Sequence, residues 1–188
     1  MATLVLLNGP PASGKSTLAR RLVADRHLAL IVDIDVLRSQ LGGWLDDPDR
    51  AGTAARRVAL AMCRAHLDAG HDVVVPQFLG KADFIEALAA VAADSDARFV
   101  EVVLQLSRSD ALRAFGERCD HPTDSTHHDA AALVGRSTAE DPVGDMYDAL
   151  QLLVAQRPGV LRVDTVRNNA EQTLQRLIDC IRSVGVQW

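Results

Sequence analysis

Residues 3–17 run Thr3-Leu4-Val5-Leu6-Leu7-Asn8-Gly9-Pro10-Pro11-Ala12-Ser13-Gly14-Lys15-Ser16-Thr17, and their order decides the architecture. Thr3–Leu7 is a short apolar run suited to a buried strand. Gly9 to Ser16 then match G-x-x-x-x-G-K-[ST] without a mismatch. From Lys15 to Asp25 an amphipathic helix is predicted, with Leu18, Leu22 and Val23 on one face. In this context the glycines let the backbone turn back so that its N–H groups point inward, and the helix N-terminus adds positive potential. Gly9, Pro10, Pro11, Ala12, Ser13, Gly14, Lys15, Ser16 and Thr17 are therefore expected to hold a nucleoside triphosphate, ATP or GTP. Lys15 would reach the β- and γ-phosphates, and the Ser16 hydroxyl would ligate Mg²⁺.

Outward from this loop, strand-like and helix-like stretches alternate. Strands are predicted at Leu28–Val32, Asp72–Val75, Arg98–Leu104 and Val160–Val163. Helices are predicted at Asp35–Leu41, Thr53–Ala69 with Thr53 as cap, Ala82–Ala93, Ser109–Arg118 with Ser109 as cap, Asp145–Gln156 and Ala170–Val184. Alternation of this kind implies βαβ units, because each crossover must return over a face of the sheet. The expected fold is α/β: a three-layer sandwich around five parallel strands, one domain over residues 1–188. Residues 119–142 break the rhythm, being rich in His, Asp, Ser and Thr, and read as an irregular lid segment.

Asp33-Ile34-Asp35-Val36-Leu37-Arg38 lies where the second strand ends, and reacting groups of open α/β sheets gather at the carboxyl ends of strands. In an extended stretch Asp33 and Asp35 share a face, and in a helix opening at Asp35 the Arg38 side chain lies beside it. Such a group suits phosphoryl transfer to a hydroxyl. Asp35 would take the acceptor's proton, Arg38 would hold the acceptor or the migrating phosphoryl group, and Asp33 would hold a magnesium-bound water. Gln77, just after the third strand, is a further substrate-binding candidate.

On the phosphate loop, the Asp33–Arg38 run and an arginine-bearing segment after the fourth strand, the chain resembles the small P-loop kinases. That group contains shikimate and gluconate kinases, polynucleotide 5′-hydroxyl kinases, and the chloramphenicol and tunicamycin resistance proteins. The resemblance implies a P-loop fold like that of nucleoside monophosphate kinases, with Asp35 contacting the acceptor hydroxyl and a lid arginine reaching the phosphates. It also places Asp164-Thr165 beside the adenine. The Asp35–Arg38 spacing looks like the 5′-hydroxyl kinases, whereas Val73-Val74-Val75-Pro76-Gln77 with Phe84-Ile85 is more similar to the tunicamycin type. The third strand departs from many P-loop ATPases in ending without a carboxylate, which leaves Asp33 or Asp35 to serve the metal's outer shell.

Arg113 and Arg118 flank the start of the lid segment and are the catalytic lid candidates, with Arg136 further along. His121, His127 and His128 lack the spacing of a zinc site, so no zinc is expected. Trp44 either stacks on an acceptor ring or anchors the core, and Arg57 either reaches the acceptor or is solvated.

The 188 residues carry a net charge of −5, which disfavours a nucleic-acid partner held through phosphate contacts. Cys63, Cys119 and Cys180 show no C-x-x-C pairing and read as reduced thiols of a cytoplasmic protein. No apolar run approaches the roughly 20 residues that cross a bilayer. The expected activity is ATP- and Mg²⁺-dependent phosphorylation of a hydroxyl on a small molecule: an antibiotic, a nucleoside or a sugar-like metabolite. The alternatives are a polynucleotide 5′-hydroxyl kinase and a nucleotide-binding switch without transfer.

Overall fold

The computed structural model describes residues 1–122, 125–167 and 169–188. Five strands form one sheet: β1 (Thr3–Asn8), β2 (Leu30–Ile31), β3 (Val73–Pro76), β4 (Arg98–Gln105) and β5 (Leu161–Asp164). They lie in the order β2-β3-β1-β4-β5, and every pairing is parallel. The helices are α1 (Lys15–Val23), α2 (Ile34–Ser39), α3 (Pro48–Asp68), α4 (Asp83–Asp94), α5 (Arg108–Asp120), α6 (Ser125–Gly135), α7 (Pro142–Ala155) and α8 (Ala170–Ser183).

The three expected layers follow from the two-residue period of the strands. Leu4 and Leu6 of β1 point into a core built with Ala55, Ala59 and Cys63 of α3 and Leu88 of α4. Val5 and Leu7 point the other way, against Leu18 and Leu22 of α1 and Leu177 and Ile181 of α8. A central strand covered on both faces must be apolar throughout, and all six residues of β1 are buried. On α3 the stripe Ala51, Ala55, Ala59, Cys63 and Leu67 keeps a four-residue step of mostly small side chains that lets the helix lie close on the sheet.

Helix boundaries depart from expectation where caps precede the periodic pattern. The α3 helix opens at Pro48 and not Thr53, because the Asp47 side chain accepts from the Arg50 N–H and Pro48 needs no partner for an N–H it lacks. Ser107, not Ser109, caps α5 by accepting from Asp110 N. The expected irregular segment 119–142 contains α6, and α5 runs to Asp120; residues 123–124 of it lie outside the described residues. The sequence hides α6 because its apolar side chains, Ala130 to Val134, form one unbroken run with no helical spacing, and none is fully buried.

Candidate active site

At the carboxyl end of β1 the chain turns sharply into α1. Gly9 (φ 155°) and Gly14 (φ 86°) lie in the region that favours glycine, and Ala12 also has positive φ, at 61°. A Cβ at Gly9 would come within 2.8 Å of Ser13 Oγ and 3.0 Å of Leu104 Cβ, so the loop closes only over a bare backbone. Left-handed Ala12 costs about 1–2 kcal/mol, strain of the sort retained at functional loops. Asn8 braces the loop from beneath. Fully buried, its side chain accepts from the N–H groups of Gly9 (2.8 Å) and Leu79 (2.9 Å) and donates to Leu79 O (3.0 Å).

Lys15 opens α1 and folds back so that Nζ donates to the carbonyls of Pro10 (2.8 Å) and Gly9 (3.0 Å). Desolvation, then repulsion by Arg118, push its ammonium down to about 7, against the pull of Asp35 and Asp33. One turn of chemistry away, Ser16 Oγ donates to Asp33 Oδ2 at 3.1 Å. The hydroxyl proton is thus committed to a carboxylate, which leaves the oxygen lone pairs for a cation. Asp33 has a second task, since its Oδ1 accepts from the N–H groups of Asp35 (3.0 Å) and Val36 (3.4 Å) and caps α2. Burial first and the charge of Asp35 second push Asp33 upward; the bonds from Ser16 and the backbone oppose them.

The helix opens one residue earlier than expected, at Ile34, so Asp33 and Asp35 do not share an extended face. Both nonetheless line one cavity of about 620 Å³, together with Lys15, Ser16, Arg38, Gln77 and Arg118. Asp35 pairs with Arg38 at 3.0 Å. The Arg38 guanidinium in turn lies over Trp44, 5.2 Å from its ring centroid. Half-buried Trp44 is therefore neither a core anchor nor an open stacking surface, because Arg38 covers it. Gln77 is held at the end of β3 by a bond from its own N–H to Leu7 O (3.1 Å) and is only 8% exposed.

A second cavity, of about 1010 Å³, opens on the other side of the loop and shares Ala12, Ser13, Gly14 and Thr17 with the first. Asp164 and Thr165 line it. Arg113 is here too, paired with Asp110 and Glu117. The two lid candidates are thus separated. Five residues along a helix is roughly 140° of rotation from the starting face, so Arg113 and Arg118 cannot serve one point. Arg118 stacks on Phe115 (5.0 Å) beside the acidic pair.

Of the remaining candidates, His127 lines the first cavity and the others line neither. Arg136 bonds the carbonyl of Leu45, in the α2–α3 connection. Arg57 is exposed and lines neither cavity, whereas its neighbour Arg56 lines the first. Among the described residues, His121, His127 and His128 join no group of three or more metal-ligating side chains. Arg56, Asn8 and Phe78 were missed by sequence reasoning. For Arg56 a signal existed, since it directly follows Ala55 of the buried stripe and so flanks that face at the sheet's carboxyl end.

The profile of a family described as an AAA domain matches residues 4–140. The adenylate kinase of Paracoccus denitrificans is 30% identical over 122 residues, 59% of this chain and 54% of that protein, so the chain spans about half the length of the curated relative it matches. Among solved structures, the APS kinase of Mycobacterium tuberculosis in complex with AMPPNP and APS is 27% identical, with a TM-score of 0.63 over 96% of this chain and 98% of its own. The tunicamycin resistance protein of Deinococcus radiodurans has the same fold, at 18% identity and a TM-score of 0.63 over 100% and 98% of the two chains.

Proposed function

Because the chain belongs to the AAA domain family, we propose that residues 1–188 form one kinase unit that moves the γ-phosphoryl group of ATP to a hydroxyl of a small molecule. One observation carries the proposal: the loop lysine, the Ser16–Asp33 pair and the Asp35 carboxylate line a single cavity. Phosphoryl transfer asks little covalent chemistry of a protein and much positioning and charge stabilisation. Those side chains are of the kinds it needs.

In this scheme the triphosphate enters the loop and draws Lys15 Nζ from the Gly9 and Pro10 carbonyls onto phosphate oxygens. The acceptor lies between Asp35 and the γ-phosphorus. Asp35 accepts the proton of the acceptor O–H as the new P–O bond forms, the bond to the β–γ bridging oxygen breaks, and ADP leaves with the electron pair. Lys15 and Arg118 stabilise the negative charge that spreads over the transferring group. The donors fit magnesium, since Ser16 offers free lone pairs and Asp33 stands behind it, and the described residues hold no dense carboxylate cage of the sort calcium needs. Bound there with the nucleotide, magnesium would neutralise charge on the β- and γ-phosphates. Arg113, Asp164 and Thr165 would border the nucleoside. Unpaired Cys63, Cys119 and Cys180 suit a reducing, ATP-rich cytoplasm.

The test is transfer of label from γ-labelled ATP, with GTP as competitor, to a panel of alcohols with and without Mg²⁺. Transfer is expected to require the metal. Asp35→Asn should lower kcat by about 10²–10⁴-fold, the usual contribution of a positioned base. If Asp35→Asn transfers label as fast as the parent, Asp35 is not the base.

A further inference from the structure

We infer that the acceptor is a neutral alcohol carrying an apolar, ring-bearing body and an N–H or O–H donor near the reacting hydroxyl, and that Gln77 is the residue selecting it. This rests on the kinase reading above and deepens it. Gln77 Oε1 is buried and has no hydrogen-bond partner in the protein. Such an orphan is destabilising, and buried polar groups left so in a folded chain call for an explanation. The residue lines the cavity of Asp35 and Arg38. The terminal torsion of glutamine is soft, so a modest rotation turns the oxygen into that space. A carbonyl oxygen there welcomes a donor and opposes an anion.

Arg38 points the same way. Its side chain is only 15% exposed and its charge is already met by Asp35, so it lacks the free cation that an anionic acceptor would need. Its Nε is a second buried atom without a partner, a donor awaiting an acceptor atom. Phe78, Phe115, Leu133, Val134 and Met146 supply apolar wall. A volume of about 620 Å³ falls in the range of sites for compact organic ligands. Helix α6 covers one side and is tied across to the α2–α3 connection by the Arg136–Leu45 bond, a poor geometry for a polymer. The rival is an acceptor bearing phosphate or sulfate, which Arg56 at the exposed rim would favour.

The experiment uses the full chain with Mg²⁺ and four probes: N-acetylphenylalaninol, its N-methylated counterpart, adenosine 5′-monophosphate and a 5′-hydroxyl oligonucleotide. Label transfer from ATP is one readout. The second is the shift in Tm that each probe causes beside an unreactive ATP analogue, which needs no chemistry. The N–H probe should be preferred over the N-methyl probe by about 10- to 100-fold, the worth of one buried hydrogen bond. In Gln77→Leu, or in Gln77→Met should the leucine variant fold poorly, that ratio should collapse to near unity while nucleotide binding persists. Equal handling of the two amides by the parent, no Tm shift from either, or preference for the monophosphate or oligonucleotide overturns the inference and leaves the kinase proposal standing. Nucleotide binding with no label on any probe counts against the kinase proposal, and the Tm shifts still decide the role of Gln77.

Discussion

The phosphate loop and the lid helix α6 face the same cavity, yet they are held in opposite ways. Beneath the loop lie six buried residues of β1, the three-bond brace of Asn8 and the folded-back Lys15. Helix α6 has no fully buried side chain among its described residues, and Arg136 ties its far end to Leu45. Its roots are firmer: Asp141 caps α7 through Gly144 N and is gripped by Arg108 at 2.6 Å. A segment with few buried apolar contacts between fixed ends opens at low cost. The contrast teaches a division of labour. On the proposed kinase scheme, the part that would meet phosphate in every turnover is firmly braced, and the part that would admit the acceptor is held by few buried contacts.

The sharpest way to break this comparison is at the loop. Lys15→Met keeps the apolar stem but removes the ammonium, and should cut transfer by about 10³-fold without lowering Tm. A loss confined to acceptor KM would put the lysine on the acceptor side. Next in size is the pair of arginines on α5. Arg118→Ala should lower kcat by about 10²-fold, because it shares the cavity of Lys15 and Asp35, whereas Arg113→Ala should chiefly weaken nucleotide binding, by less than about tenfold. Equal losses in kcat would show that the two cavities do not divide the work as proposed.

The lowered ammonium of Lys15 makes the loop pH-sensitive, in two opposite directions. Phosphate binding needs the charged form, and bound phosphates raise its pKa again, so binding above pH 7 takes up a proton. Nucleotide Kd should therefore rise between pH 7 and 9, by up to about tenfold per unit, with proton uptake visible as a buffer-dependent heat. Stability without nucleotide runs the other way. The folded value, about 7, lies below the ordinary 10.5, so the unfolded chain binds more protons between them. The penalty from this group is full below pH 7 and fades as pH climbs toward 10.5. Lys15→Met should abolish both slopes. If neither slope changes, the lysine is not the titrating group.

How much of this was legible from the chain alone follows the same division. The loop and the order of strands were readable because buried parallel strands must be apolar and the phosphate turn must contain glycines, constraints that act on neighbouring residues. Asp33, Asp35 and Arg38 were readable because one helical turn brings them together. What escaped depended on distant contacts. No local pattern says that Arg38 covers Trp44, that Asn8 grips Leu79, or that Arg56 and not Arg57 faces the cavity. Helix α6 escaped for a different reason: its apolar residues, Ala130 to Val134, are consecutive, so no helical spacing announces a face.

The weakest contact in the comparison gives its finest test. Arg136 reaches from the end of α6 to the Leu45 carbonyl in the α2–α3 connection, an exposed bond spanning 91 residues of sequence. Such a bond is worth roughly 1 kcal/mol or less once its side-chain ordering is counted. Arg136→Ala should accordingly raise acceptor KM about two- to fivefold, leave kcat and nucleotide Kd within about twofold, and shift Tm by no more than about 2–4 °C. The sign matters more than the size. A latch that helps retain the acceptor must lower affinity when cut, whereas one that merely resists opening would speed entry and lower KM. A fall in KM would mean that the closed lid excludes the acceptor until Arg136 lets go.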